Sequence, residues 1–146
     1  SDVCSSDLPC LPYVDIFETN IEEAKLYAGR DTIEDALKFY SSFSIPIIVV
    51  KMGERGAFVQ SEEFTGIIPK FSVEAVDATG AGDAFDAGFL IGLINHWPVE
   101  QAANLGSAVG AKCVTAFGAT TGIVSYEETL KLIETENRLG HWNWDL

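Results

Sequence analysis

The sequence predicts an α/β fold, a three-layer αβα sandwich with helices on both faces of a mostly parallel sheet, and three observations lead there. Ile47-Ile48-Val49-Val50 is a continuous apolar run, the pattern of a strand buried on both faces. Helical periodicity alternates with such extended segments. Asp77-Ala78-Thr79-Gly80-Ala81-Gly82-Asp83, a loop of small residues, leads directly into the apolar stretch Ala84 to Leu93, a buried helix.

Taken in order, Val14-Asp15-Ile16-Phe17 reads as a short strand, followed by a helix from Ile21 to Ala28 that Gly29 ends. A second helix starts at Thr32 and places Ile33, Ala36, Leu37 and Tyr40 on one face; Pro46 then introduces the buried run. Gly53-Glu54-Arg55-Gly56 is a turn signal before Ala57-Phe58-Val59, and Ile67 to Val76 reads as further short strands around Pro69, a hairpin-like insertion. Beyond the loop and its helix, Val99 to Cys113 forms another helix, with Ala102, Ala103, Gly106 and Gly110 where a helix or a flat ligand packs closely. Phe117-Gly118-Ala119-Thr120-Thr121-Gly122 is a second small-residue loop, and an amphipathic helix runs from Ser125 to about Arg138. There is no internal repeat or low-complexity linker.

With 146 residues, 47% of them hydrophobic, the chain suits one domain with a real core. Nine Lys and Arg stand against 22 Asp and Glu, a formal charge of −13, so no basic surface awaits a nucleic-acid backbone or anionic lipid. Any positive potential for a phosphate must be built locally. No stretch reaches the roughly 18 to 20 consecutive apolar residues of a membrane span, since Gly88 to Ile94 stops at Asn95-His96-Trp97-Pro98. Cys4, Cys10 and Cys113 are an odd count without metal-ligand spacing, which points to a reducing, cytoplasmic setting.

Residues 1–8, SDVCSSDL, are polar and aperiodic, and patterning begins only at Pro9. TCA GAC GTG TGC TCT TCC GAT CT, the end of a common sequencing-library adapter, translates to these residues. The segment is therefore expected to be foreign to the protein, leaving residues 9–146 as a gene fragment; resequencing the source DNA across the junction tests this.

A loop of Gly and Ala opening a helix lets successive N–H groups converge where the helix dipole also favours negative charge. Gly80, Ala81 and Gly82 let a phosphate approach the backbone, and Asp83 lies beside it. An aspartate there repels a bound phosphate unless it takes a proton from a substrate hydroxyl while the N–H groups and a metal hold the transferring group. Two other readings compete. The glycines form a tight loop with Asp83 capping the helix, or the segment is a dinucleotide fingerprint. Against the latter, Phe85 stands where the third small residue belongs; a GxxxxGK[ST] phosphate loop is absent as well.

Asp77-Ala78-Thr79-Gly80-Ala81-Gly82-Asp83-Ala84-Phe85-Asp86-Ala87-Gly88 resembles the second signature of the ribokinase-like, PfkB carbohydrate kinases. The resemblance extends from Leu11 to about Leu132 and implies the C-terminal half of a ribokinase-like, Rossmann-like fold. It makes Asp83 the base that deprotonates the acceptor hydroxyl and the N–H groups around Gly80, Ala81 and Gly82 the anion hole. Asn20-Ile21-Glu22-Glu23 resembles the family's N-x-x-E motif, in which Asn20 and Glu23 would organise magnesium and the ATP phosphates. A capping box explains the same spacing without a ligand. Lys51-Met52-Gly53-Glu54-Arg55-Gly56 resembles the family's T-L-G-x-x-G nucleotide contact, with Lys51 in place of the usual threonine.

By the same resemblance, Asp77 and Thr79 match residues that bind an activating potassium ion in many members, with carbonyls around Cys113, Ala116 and Gly118 completing the site. Ala78 and Asp86 depart from the residues common at their positions. Ser107 and Gly110 match the region flanking adenine, or else pack the core. His96 and His141 receive no role. The implied parent moves the γ-phosphate of ATP, with magnesium, to a hydroxymethyl group of a fructose- or ribose-like sugar or of a nucleoside, and a homodimer is compatible with it. The family's first, glycine-pair signature and substrate half are not found in this sequence. A catalytically silent fragment that only binds nucleotide is the alternative, and apolar edges left uncovered would make it prone to associate.

Overall fold

The computed structural model describes residues 8–136, so residues 1–7 and the His141 and Trp142-Asn143-Trp144 tail lie outside the described residues. The described residues divide into two compact units, residues 8–53 with 57–67 and residues 54–56 with 68–136.

The first unit is built on strands β1 (Ile16–Asn20), β2 (Ile47–Lys51), β3 (Ala57–Gln60) and β4 (Thr65–Ile68), adjacent in that order in one sheet. Between β1 and β2 run helices α1 (Ile21–Ala28) and α2 (Ile33–Ser41), and this long connection lets the two strands pair in parallel, Ile16 opposite Ile47 through Asn20 opposite Lys51. The link from β2 to β3 is only residues 52–56, too short for a crossover, so β3 returns antiparallel. The α/β class stands, while the expectation of a mostly parallel sheet gives way to a mixed one. β1 lies two residues later than its hydrophobic pattern indicates. The extended run foreseen for 67–76 ends at Ile68, because Pro69 has no N–H for a ladder.

Local chemistry sets the helix ends. The Asn20 side chain accepts from Glu23 N–H at 2.9 Å and the Glu23 carboxylate accepts from Asn20 N–H at 3.4 Å, a reciprocal box that starts α1. Gly29, at φ 61, ends it by turning the N–H groups of Gly29 and Arg30 back to Leu26 and Lys25. Thr32 caps α2 through Asp35 N–H. Ala36 and Tyr40 of α2 are buried with Ala24 and Ala28 of α1 and with Ile48 and Val50 of β2. The Tyr40 ring lies 4.5 Å from that of Phe17, its hydroxyl donates to Ala24 O at 2.8 Å, and burial pushes its phenol up to about 12.

The second unit holds α3 (Ala81–Ile94), α4 (Val99–Cys113) and α5 (Tyr126–Thr135). α3 starts three residues earlier than its apolar run, so Ala81, Gly82 and Asp83 form its first turn. α3 and α4 pack backbone to backbone. A Cβ on Gly88 would lie 2.9 Å from Gly106 Cα, and one on Gly92 2.6 Å from Ala102 Cβ. The small residues of α4 therefore receive a helix. A second core, with Phe71, Trp97, Leu105, Ala108, Ala111 and Ile133, joins α4 to α5, which Ser125 and Glu128 cap with a reciprocal box. Leu90, Ile91 and Ile94 leave an apolar face of α3 exposed, Ile94 at 74%.

Candidate functional site

In the first unit, the parallel pairing sets Asn20 beside Lys51 at the carboxyl ends of β1 and β2, the edge where open α/β sheets place their ligands. Glu23 follows in the first turn of α1, and Gly53, at φ 57, begins the turn after β2. Glu23 Oε2 accepts from Thr19 Oγ1 at 3.2 Å as well as from Asn20 N–H. The carboxylate is thus held in place through Oε2 while Oε1 carries neither bond, and both Asn20 and Glu23 are exposed. This suits a residue that meets a hydrated divalent cation with one oxygen. The capping box is present in full, so Asn20→Ala is expected to cost about 1 kcal/mol of stability, read by urea denaturation, whatever else the residue does.

In the second unit, Arg55 is exposed and Gly56, at φ 85, is irreplaceable on two counts: a left-handed backbone, and a Cβ that would run into Ile68 O and Pro69 Cα. Gly80 is the N-cap of α3, at φ 79, and no side chain caps this helix. Of the first-turn residues, Ala81 and Gly82 are half-buried and Asp83 is exposed. A 14-residue helix therefore presents its N-terminal end with small residues around it and a carboxylate alongside.

Asp77 holds the loop before α3. Its Oδ1 accepts from Thr79 N–H and its Oδ2 from Gly118 N–H, each at 2.9 Å, and these bonds, Gly118's first, keep its carboxyl below the usual range. The Cys113 thiol lies 3.0 Å from Ala119 O and 3.6 Å from Thr79 O. Desolvation, and then the charges of Asp77 and Asp83, push this thiol up. The sequence singled out only the carbonyls near Cys113; the thiol's reach was missed, although a cysteine at the end of a small-residue helix, level with two small-residue loops, was its signal. Among the described residues, no three His, Cys, Asp or Glu side chains cluster as a metal site.

Ser107 is buried and donates to Pro69 O at 3.2 Å, and a Cβ on Gly110 would lie 3.1 Å from Ala81 O. Both residues pack the second unit, Gly110 directly behind the first turn of α3. No described helix is long and apolar enough to cross a membrane.

Known proteins are similar to this chain in sequence and in fold. A ribokinase from Haemophilus influenzae is 33% identical over 129 residues, 85% of this chain and 42% of its own length. A fructokinase from Vibrio cholerae O395, solved in its fructose-, ADP- and potassium-bound form, superposes with a TM-score of 0.78 at 28% identity over 86% of this chain and 42% of its own. An aminoimidazole riboside kinase from Salmonella enterica, solved with aminoimidazole riboside and an ATP analog, does so with a TM-score of 0.77 at 26% identity over 90% and 48%. The chain thus spans less than half the length of these relatives, in the ribokinase fold. The pfkB family carbohydrate kinase profile matches residues 2–125, and the chain belongs to that family.

Proposed function

We propose that the protein to which this chain belongs transfers the γ-phosphoryl group of ATP to a hydroxymethyl group of a fructose- or ribose-like sugar, with Asp83 as the base. The observation that carries this reading is the start of α3: an N-terminus without a side-chain cap, opened by Gly80 in the left-handed region, with an exposed carboxylate in its first turn. The positive end of the α3 dipole and the small residues Gly80, Ala81 and Gly82 favour the approach of the phosphoryl oxygens, although the Ala81 N–H is already given to Ala78 O. Asp83 accepts the proton of the acceptor hydroxyl as its oxygen bonds to the γ-phosphorus and the bond to the β-phosphate oxygen breaks, releasing ADP.

Magnesium, when bound, offsets charge on the phosphates, and Asn20 and Glu23 are the residues that would organise it. Lys51, Gly53, Arg55, Gly56, Ser107 and Gly110 are assigned to the nucleotide side, the last two as packing that shapes it. Asp77 and Thr79 are assigned to an activating potassium ion, with the carbonyls of Cys113, Ala116 and Gly118. Both Asp77 oxygens already accept a backbone N–H, an arrangement that serves the loop with or without the ion. Likeness to the riboside kinase favours a nucleoside acceptor as the second reading. Sugar kinases lead because the ribokinase identity is higher. The reaction is assigned to the cytoplasm, with no nucleic-acid or membrane partner.

Calorimetry of Mg-ATP binding to this chain tests the nucleotide half. Wild type is expected to bind, and Gly82→Asp to abolish binding by placing a like charge in the anion hole. A folded wild type that evolves no binding heat would sink the claim that this chain carries the nucleotide site.

A further inference from the structure

The two small-residue loops of the second unit touch at several points, and one side chain spans them. Asp77 joins Thr79 N–H on its own loop to Gly118 N–H, 41 positions away in sequence. Close by, a Cβ on Gly80 would lie 2.7–2.9 Å from Ala119 atoms, the Cys113 thiol reaches Ala119 O, and the N–H groups of Val76 and Asp77 share Val114 O at 2.7 and 3.2 Å. All these contacts act on residues 76–80 or on the loop that meets them. Residue 80 is also where α3 begins: Ala81 N–H bonds to Ala78 O and Ala84 N–H to Gly80 O. The direction in which the helix leaves Gly80 determines where the Asp83 carboxylate stands.

We infer that Asp77 is a positioning residue: its bridge from Thr79 to Gly118 holds Gly80 against Ala119 and so sets the heading of the first turn of α3 and of Asp83. The chemistry calls for a carboxylate. Its two oxygens both accept, so one planar group can take an N–H from each loop, whereas an asparagine offers one acceptor and would turn an NH2 group toward the other donor. The inference rests on the phosphotransfer reading for what the heading serves, and not for the bridge or the heading themselves.

The test uses NMR on this chain and needs no nucleotide, so it stands apart from the calorimetric outcome. In wild type, a scalar coupling across the hydrogen bond between Gly118 15N and Asp77 13Cγ is expected, and its absence overturns the inference even if every variant fails to fold. In Asp77→Asn, hydrogen exchange at the Gly118 and Thr79 amides should rise about tenfold or more. Residual dipolar couplings of the Gly82, Asp83 and Ala84 N–H vectors should shift relative to those of α4, while Leu105 and Ala108 exchange at wild-type rates. Unchanged vectors would leave a bridge that positions nothing, and faster exchange throughout α4 would reduce Asp77 to general stability; either result refutes the positioning role.

Discussion

Asp83→Asn in the parent kinase is expected to lower kcat by about 10²- to 10⁴-fold, the range for loss of a general base, while Mg-ATP affinity is retained. Asparagine fills the same volume on the same first turn, so the end of α3 and its N–H groups are undisturbed. What disappears is the ability to take the hydroxyl proton. Because Asp83 is exposed and stands at the positive end of a helix, the substitution also removes a favourable charge–dipole contact, worth about 0.3–1 kcal/mol of stability. Steady-state kinetics with separate calorimetry checks the split. A variant that keeps wild-type turnover rules Asp83 out as the base, and one that loses nucleotide affinity in proportion to kcat assigns it to binding instead.

Gly106→Leu is expected to unfold the second unit, at a cost of about 3 kcal/mol or more. Even the first carbon of a side chain at this position would lie 2.8 Å from Phe85 O and 3.2 Å from Phe89 Cβ, the first a backbone atom of α3 that cannot rotate away. Alanine is the more discriminating test. In an unobstructed helix interior, Gly→Ala stabilises by roughly 0.5–1 kcal/mol, so a net loss in Gly106→Ala measures the obstruction directly. Urea denaturation of the two variants against wild type reads both. A stabilised Gly106→Ala would mean that α3 and α4 stand further apart than this structure has them, and would weaken the case that Gly110, one turn on, where a Cβ would lie 3.1 Å from Ala81 O, is there to seat the first turn of α3.

Periodicity and caps made most elements readable in advance. The bounds of α1 followed from Asn20 and Gly29, and those of α4, Val99 to Cys113, are the ones read for the small-residue helix. Where the reading slipped, tertiary pairing was the cause. Ile16–Asn20 is a strand because it pairs with Ile47–Lys51, and Glu18, Thr19 and Asn20 carry little of the apolar signal that marks a strand in isolation. The sheet is mixed because a short connector reverses the chain, a consequence of loop length that an apolar run does not record. The second loop was legible as small residues, but its purpose was not: a glycine says that something comes close, without saying what.

By itself, the sequence determined the class of fold, the ends of α1 and α4 and the motif that places an aspartate in the first turn of a glycine-led helix. These depend on residues within a few positions of one another, where backbone geometry and capping act directly. The tertiary structure alone decided that Asn20 stands beside Lys51, that Gly106 and Gly110 meet a helix, and that Asp77 binds Gly118. Each is a contact between segments whose separation in sequence carries no information about distance, and each exists only once the intervening helices have packed.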